Sequence, residues 1–170
     1  MRNTFFITIF VIFFVQMGKS QSSGISLDFK DEIDLYLSFT IPTIDVEQLD
    51  KQRTRYTILD AREKEEFNVS HIPGARYIGY DHFKLMELEN LDKSKPVVVY
   101  CSIGYRSEKV SEILKQAGFK KVYNLYGSIF AWANAGLPLE DISGKTTNRI
   151  HGYNKDWSRW IKRKDLKIVY

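Results

Sequence analysis

From Thr43 to Ala135, short apolar runs alternate with segments whose apolar residues recur every three or four positions, the order that a parallel sheet with crossover helices requires. The strand-like runs are Thr43 to Asp45, Tyr56 to Leu59, Ala75 to Ile78, Pro96 to Tyr100 and Lys121 to Asn124, most of them β-branched or aromatic. Pro96 lacks an N–H and can only open its strand. Between them, Val46 to Lys51, Glu63 to Phe67, Tyr80 to Leu91, Ser107 to Ala117 and Ser128 to Ala135 read as helices. In the fourth, Val110, Ile113, Leu114 and Ala117 share one face, with Ser107 suited to the N-cap and Gly118 to the C-terminal stop. The pattern predicts an α/β fold, an open five-stranded parallel sheet with helices on both faces. Ligands of such sheets bind beyond the carboxyl ends of the strands. Cys101 follows a strand immediately and belongs at that edge.

The flanks differ in character. Met1-Arg2-Asn3 is a short basic start, and Thr4 to Val15 is almost wholly apolar. That run has the roughly 7–15 residues of a signal-peptide core and falls short of the about 20 that span a membrane. Gly18-Lys19-Ser20 offers a small-x-small cleavage pattern before Gln21. The expectation is a signal peptide over residues 1–20 and a periplasmic or secreted mature protein, with retention as an uncleaved anchor the alternative. Residues 21–42 form an N-terminal extension that opens on linker-like Gln-Ser-Ser-Gly, and its structure is left open.

Composition changes this outline at one place, the C-terminus. The chain of 170 residues suffices for one domain with a core, and 44% hydrophobic with 27% charged residues is the balance of a globular protein. Residues 145–170 hold eight Lys or Arg against two Asp or Glu, whereas residues 1–144 hold seventeen against nineteen, so the net +4 is +6 from the tail and −2 from the rest. Trp157, Trp160 and Ile161 would share a helical face with Arg159, Lys162 and Arg163 around the other sides. That face is expected to dock on the domain, with a weak membrane-surface or protein contact as the sharper alternative.

Chemistry concentrates at the lone cysteine of the chain. An exported protein usually uses cysteines in pairs, and a single one forms no internal bridge. Here it opens Cys101-Ser102-Ile103-Gly104-Tyr105-Arg106-Ser107, a turn between strand and helix. Small residues at 102 and 104 let such a loop curl until its amides face the sulfur, and the helix N-terminus adds positive partial charge. With Arg106 beside it, the thiol should ionise below its ordinary range and act as a nucleophile.

This loop, "YCSIGYRS", resembles the active-site loop of rhodanese-like sulfurtransferases, a cysteine and an arginine separated by four residues and followed by a small hydroxyl residue. "ILDAREKEEFNVSHIPGARYI", residues 58–78, is similar to the family's upstream signature of Asp-x-Arg, Glu-Phe and His-Ile-Pro-Gly-Ala. "AGFKKVYNLYGSIFAWANAGLPLE", residues 117–140, is similar to its closing strand and Gly-x-x-x-Trp helix. The resemblance implies a rhodanese-like domain over residues 43–142, followed by a basic aromatic C-terminal extension over 143–170. It further implies a double displacement, in which Cys101 takes a sulfane sulfur from a small donor such as thiosulfate, carries it as a persulfide and passes it to a thiol or cyanide. Residues 102–107 would hold donor and persulfide, and Asp60 and Arg62 would support the loop without reacting. An ordinary ion pair between those two is an equal alternative.

Tyrosine and dual-specificity phosphatases place five residues between cysteine and arginine, and this loop places four, a cradle better sized for one sulfur than for a phosphoryl group. A non-catalytic module that binds sulfur or a partner is the main alternative. Three scattered histidines, His71, His82 and His151, suggest neither a Cys-His hydrolase nor a metal site. No cofactor and no nucleic-acid partner are expected.

Overall fold

The computed structural model describes residues 24–170. The expected signal peptide, residues 1–20, lies outside the described residues. The described chain opens with α1 (Leu27–Tyr36), followed by β1 (Thr43–Ile44), α2 (Val46–Lys51), β2 (Thr57–Asp60), α3 (Lys64–Val69), β3 (Arg76–Tyr77), β4 (Val97–Tyr100), α4 (Tyr105–Gln116), β5 (Val122–Leu125) and α5 (Ser128–Asn134). The C-terminal part adds β6 (Leu139–Glu140), β7 (Thr146–Thr147), β8 (Arg149–His151), α6 (Lys155–Ser158) and β9 (Lys167–Val169).

The five strands expected from the sequence form one parallel sheet in the order β1-β5-β4-β2-β3, with β4 at its centre. All four residues of β4 are buried, as a strand covered on both faces requires. Its side chains alternate: Val98 and Tyr100 pack with α1, α2 and α5, whereas Val97 and Val99 pack with α4. Helices thus cover both faces, and the strand that leads into Cys101 is held from every side.

Three expected elements take other forms. Tyr80 to Leu91 is no α-helix but a turn followed by a 3-10 segment at Leu85–Leu88. Its polar backbone groups find partners outside a helix: the Glu63 carboxylate accepts the Asp81 N–H, and Arg76 donates to the Glu87 carbonyl. Leu88 still reaches the core, so the apolar spacing is met without the helix.

In α4 the N-cap is Gly104, not Ser107, and the helix starts three residues before Ser107 would have opened it. The buried face runs through Ser107, Val110, Ser111 and Leu114, while Ile113 is exposed. Small polar residues thus face inward where the chain packs close to the loop.

The tail helix stops after Ser158. Trp160 and Ile161 bond back only three residues, to Trp157 and Ser158, and the Lys162 N–H is taken by the Asn134 side chain at 2.7 Å. That amide also donates to the Trp160 carbonyl at 2.8 Å, so one side chain of α5 ends the helix. Trp157, Trp160 and Ile161 nonetheless pack on the domain.

Residues 24–42, left open by the sequence, supply α1. Ser26 caps it by accepting the Phe29 N–H, and Phe29 and Ile33 enter the core. The linker to β1 is pinned by the buried Glu108 carboxylate of α4, which accepts the Ser38 and Thr40 N–H groups, each at 2.9 Å. Trp160 stacks on Phe29 with centroids 5.2 Å apart, and Trp157 meets Tyr36 edge-on at 5.0 Å. The two extensions therefore pack against each other beside the sheet.

Candidate active site around Cys101

The loop leaves β4 and returns into α4 within four residues, and that sharp return depends on Gly104. Its φ is +130°, a value that L side chains rarely adopt, and an added Cβ would lie 3.2 Å from Leu37 and 3.5 Å from Asn124. With the chain so bent, the Gly104 N–H donates to the Cys101 sulfur at 3.2 Å. The Ser107 hydroxyl lies 3.5 Å from that sulfur, 3.0 Å from the Gly104 carbonyl and 2.7 Å from Asn124 Oδ1. Its one proton therefore serves three acceptors.

The remaining loop groups are held by α5. Its Ile129 and Phe130 N–H groups donate to the carbonyls of Cys101 and Ser102, and the Ser128 hydroxyl accepts the Cys101 N–H. The loop carbonyls thus have partners away from the sulfur, which leaves donors facing it. That arrangement suits an anion.

Burial alone pushes the Cys101 thiol up, because Cys101 is only 1% exposed. The Arg106 charge, the Ser107 hydroxyl and amide and the Gly104 amide outweigh burial and hold it below the ordinary thiol value. The same loop thus favours thiolate at a buried position.

Arg106 acts through a fixed geometry. Its guanidinium donates to both oxygens of Glu66, at 2.7 and 2.9 Å, and to the Ser102 hydroxyl at 3.0 Å. Glu66 also accepts from the Ser102 hydroxyl at 3.2 Å and from the Glu63 N–H at 3.0 Å. Burial raises the Glu66 carboxyl, and the hydrogen bonds and charge of Arg106, with the charge of Arg62, lower it further than burial lifts it. The ring of Tyr153 lies 5.0 Å from the Arg106 guanidinium carbon, on the side that faces the pocket.

The structure gathers Cys101, Ser102, Ile103, Tyr105 and Arg106 around one pocket of about 360 Å³, with Gly104 and Ser107 behind the sulfur. Asp60 and Arg62 stand apart from it. They form a fully buried pair at 2.7 Å, Arg62 also donates to the Ser70 carbonyl, and its guanidinium lies 5.6 Å from the Tyr100 ring centre. The pair thus lies against Tyr100, the strand residue next to Cys101, as a buried ion pair one residue removed from the loop.

Several residues of the site went unnamed in the sequence reading. Glu66 stood in the quoted Glu-Phe of residues 58–78, beside Glu63 and Glu65, and nothing in the spacing singles it out from them. Asn124 had a signal, as a polar residue inside an apolar strand, and it is 1% exposed. Tyr36, Tyr153 and Trp157 also line the pocket, and they come from segments outside any motif. Helical spacing marked Trp157 as a docking residue only, and no spacing marked Tyr36 or Tyr153.

Comparison with known proteins agrees with this geometry. Residues 45–135 match the family model described as rhodanese-like domain. Over 85 residues the chain is 39% identical to thiosulfate sulfurtransferase GlpE of Coxiella burnetii, covering 49% of this chain and 77% of the relative. It is 36% identical over 91 residues to the tRNA uridine(34) hydroxylase of Sodalis glossinidius, where it spans only 26% of the relative. Among solved structures, the rhodanese-like domain of an Anabaena protein is 30% identical with a TM-score of 0.55, over 59% of this chain and 80% of that one. The matched stretch carries β2 to β5 of the sheet, the Cys101 loop and the Glu66–Arg106 pair, and the chain belongs to the rhodanese-like domain family.

Proposed function

We propose that this protein is a sulfurtransferase in which Cys101 carries the sulfur. The Cys101 thiolate attacks the outer sulfur of a thiosulfate-like donor. The sulfur–sulfur bond breaks, sulfite leaves with its electron pair, and Cys101 holds a persulfide. A thiophilic acceptor, a thiol or cyanide, then takes the outer sulfur and restores the thiolate. The observation that carries this reading is the set of donors aimed at Cys101 Sγ, from Gly104 and Ser107, with the Arg106 charge fixed beside them. Donors placed where an anion resides stabilise it without reorganising during the reaction. The relatives named thiosulfate sulfurtransferase lend it further support.

The test is to incubate the purified protein with thiosulfate and weigh it by mass spectrometry. One extra sulfur should appear on Cys101, disappear on addition of cyanide with formation of thiocyanate, and never form in Cys101→Ser. Loading without discharge would favour a sulfur-storing or partner-binding module. Phosphate release from an aryl phosphate that depends on Cys101 would favour a phosphatase instead.

We further propose that the protein is exported, with residues 1–20 removed. The short apolar run of Thr4 to Val15 and the small residues before Gln21 support this. N-terminal sequencing of the protein from its natural host should begin near Gln21. A Met1 start in the cytoplasmic fraction would overturn it.

A further inference from the structure

The wall of the Cys101 pocket is more aromatic than its reaction with a small inorganic anion needs. Tyr36 from α1, Tyr105 from α4, and Tyr153 and Trp157 from the C-terminal extension surround it with Ile103. Tyr36, Tyr105 and Tyr153 are 44, 43 and 47% exposed, so three large rings stand open to solvent around one buried sulfur. Among the described residues lining the pocket, Arg106 is the one with a positive charge, and Glu66 neutralises it through two hydrogen bonds. The wall therefore offers ring faces and no free cation.

Tyr153 is held there at a cost. Its φ is +62°, unusual for a bulky residue, and its N–H donates to His151 Nδ1 at 3.1 Å. The strained turn sets its ring over Arg106, while Trp157 is set by its edge contact with Tyr36. Such rings bind flat apolar bodies by stacking and area burial.

We propose that this pocket receives the apolar or aromatic body of a small organic thiol, which is the sulfur acceptor. The proposal rests on the sulfurtransferase reading above and names the acceptor's class. Bound in the pocket, the acceptor thiolate R–S⁻ attacks the outer sulfur of Cys101–S–SH. The sulfur–sulfur bond breaks, Cys101 leaves with the electron pair as the thiolate, and R–S–SH is released with its proton retained. The Gly104 and Ser107 donors receive the charge that returns to Cys101 Sγ. A pocket of about 360 Å³ has room for a body of one ring.

The full chain loaded with inorganic polysulfide is discharged by cyanide, benzyl mercaptan, 2-mercaptoethanol or 3-mercaptopropionate, and loss of the extra sulfur is timed by mass spectrometry. Benzyl mercaptan should act about tenfold faster than 2-mercaptoethanol, the scale set by one or two aromatic contacts, and 3-mercaptopropionate should be slowest. Tyr153→Asn, which tolerates the left-handed backbone, and Trp157→Ala should each bring the benzyl-to-hydroxyethyl ratio towards one. Tyr153→Phe should keep it. Because each ratio is taken within one variant, a general loss of stability cancels. Equal rates in the wild type, a fastest 3-mercaptopropionate, or a ratio untouched in both variants would overturn the acceptor class while cyanide discharge leaves sulfur transfer standing. A protein that takes up no sulfur on Cys101 would overturn both.

Discussion

The floor and the wall of the Cys101 pocket are built by opposite means. The floor lies within the family-matched residues 45–135 and is made of hydrogen bonds and buried charge: Gly104 and Ser107 on the sulfur and Glu66 on Arg106. Most of the wall comes from the two extensions and is held by ring contacts, Tyr36 with Trp157 in the wall itself and Phe29 with Trp160 outside the pocket. Hydrogen bonds fix angles and charge, which the sulfur chemistry needs. Ring contacts fix area and shape, which select what approaches. The difference predicts that damage to the floor changes reaction and stability together, whereas damage to the wall loosens the extensions and leaves the sheet intact.

The largest effect should follow from Glu66→Ala. Removing one partner of a buried pair leaves the other charge uncompensated, and with Arg106 12% exposed the loss should sit near the lower end of that range, about 3 kcal/mol. For a protein of this size that lowers Tm by roughly 6–12 °C. Sulfur loading should fall as well, because Arg106 and Ser102 lose their shared anchor. A stable variant with full activity would show that the floor does not depend on its charge pair.

Ser107→Ala probes the same floor more gently and through pH. The Cys101 thiol lies below its ordinary value, so its reactivity should be flat at high pH and fall as pH drops through the lowered value. The stability that the thiolate contributes follows the same sign: it is complete above the unfolded thiol's value and is lost as pH falls through the folded one. Without the Ser107 hydroxyl the folded value rises, and the acid limb of an iodoacetamide alkylation profile should move to higher pH. The vacated Asn124 oxygen adds a stability loss of about 1–2 kcal/mol. An unmoved profile would assign the sulfur's charge to Arg106 and the amides of Ser107 and Gly104.

What the sequence made legible divides along the same line. Strand β4 was readable because five consecutive positions, Pro96 to Tyr100, announce a buried run, and the loop because cysteine, glycine and arginine each have one physical use there. Ser107 was placed at the N-cap because serine usually caps, yet Gly104 takes that position and frees the hydroxyl for the sulfur. Tyr80 to Leu91 has helical spacing, and Glu63 and Arg76, distant in sequence, supplied partners that made a helix unnecessary. The tail looked helical to Arg163 for the same reason, and Asn134 ends it. Of the wall, spacing marked only Trp157, as a docking residue, because ring contacts across more than a hundred residues leave no local spacing that pairs it with Tyr36.

Trp160→Ala tests the ring contacts that hold the two extensions together. The residue is partly buried and stacked on Phe29, so its loss should cost about 1–2 kcal/mol in area and ring contact. Hydrogen exchange should quicken in α1 and across 155–169 while the amides of β4 keep their protection. Equal acceleration in β4 would mean that floor and wall unfold as one unit.

The smallest effect should come from the tail's charges. Eight basic residues against two acidic ones suggest an electrostatic attachment, and Arg159 does reach Glu32 of α1 at 3.5 Å. Yet the Arg159 side chain is 58% exposed, and exposed ion pairs contribute about 0–1 kcal/mol and weaken with salt. Its guanidinium carbon also lies 5.0 Å from the Trp160 ring centre, so part of what it adds belongs to the ring contacts. Arg159→Gln should therefore shift the urea midpoint by less than about 0.5 kcal/mol in equivalent stability, and by less still at high salt. A loss larger than that of Trp160→Ala, abolished by salt, would mean that charge holds the extensions together. The wall would then be built by the same means as the floor, and the pocket's shape would respond to ionic strength.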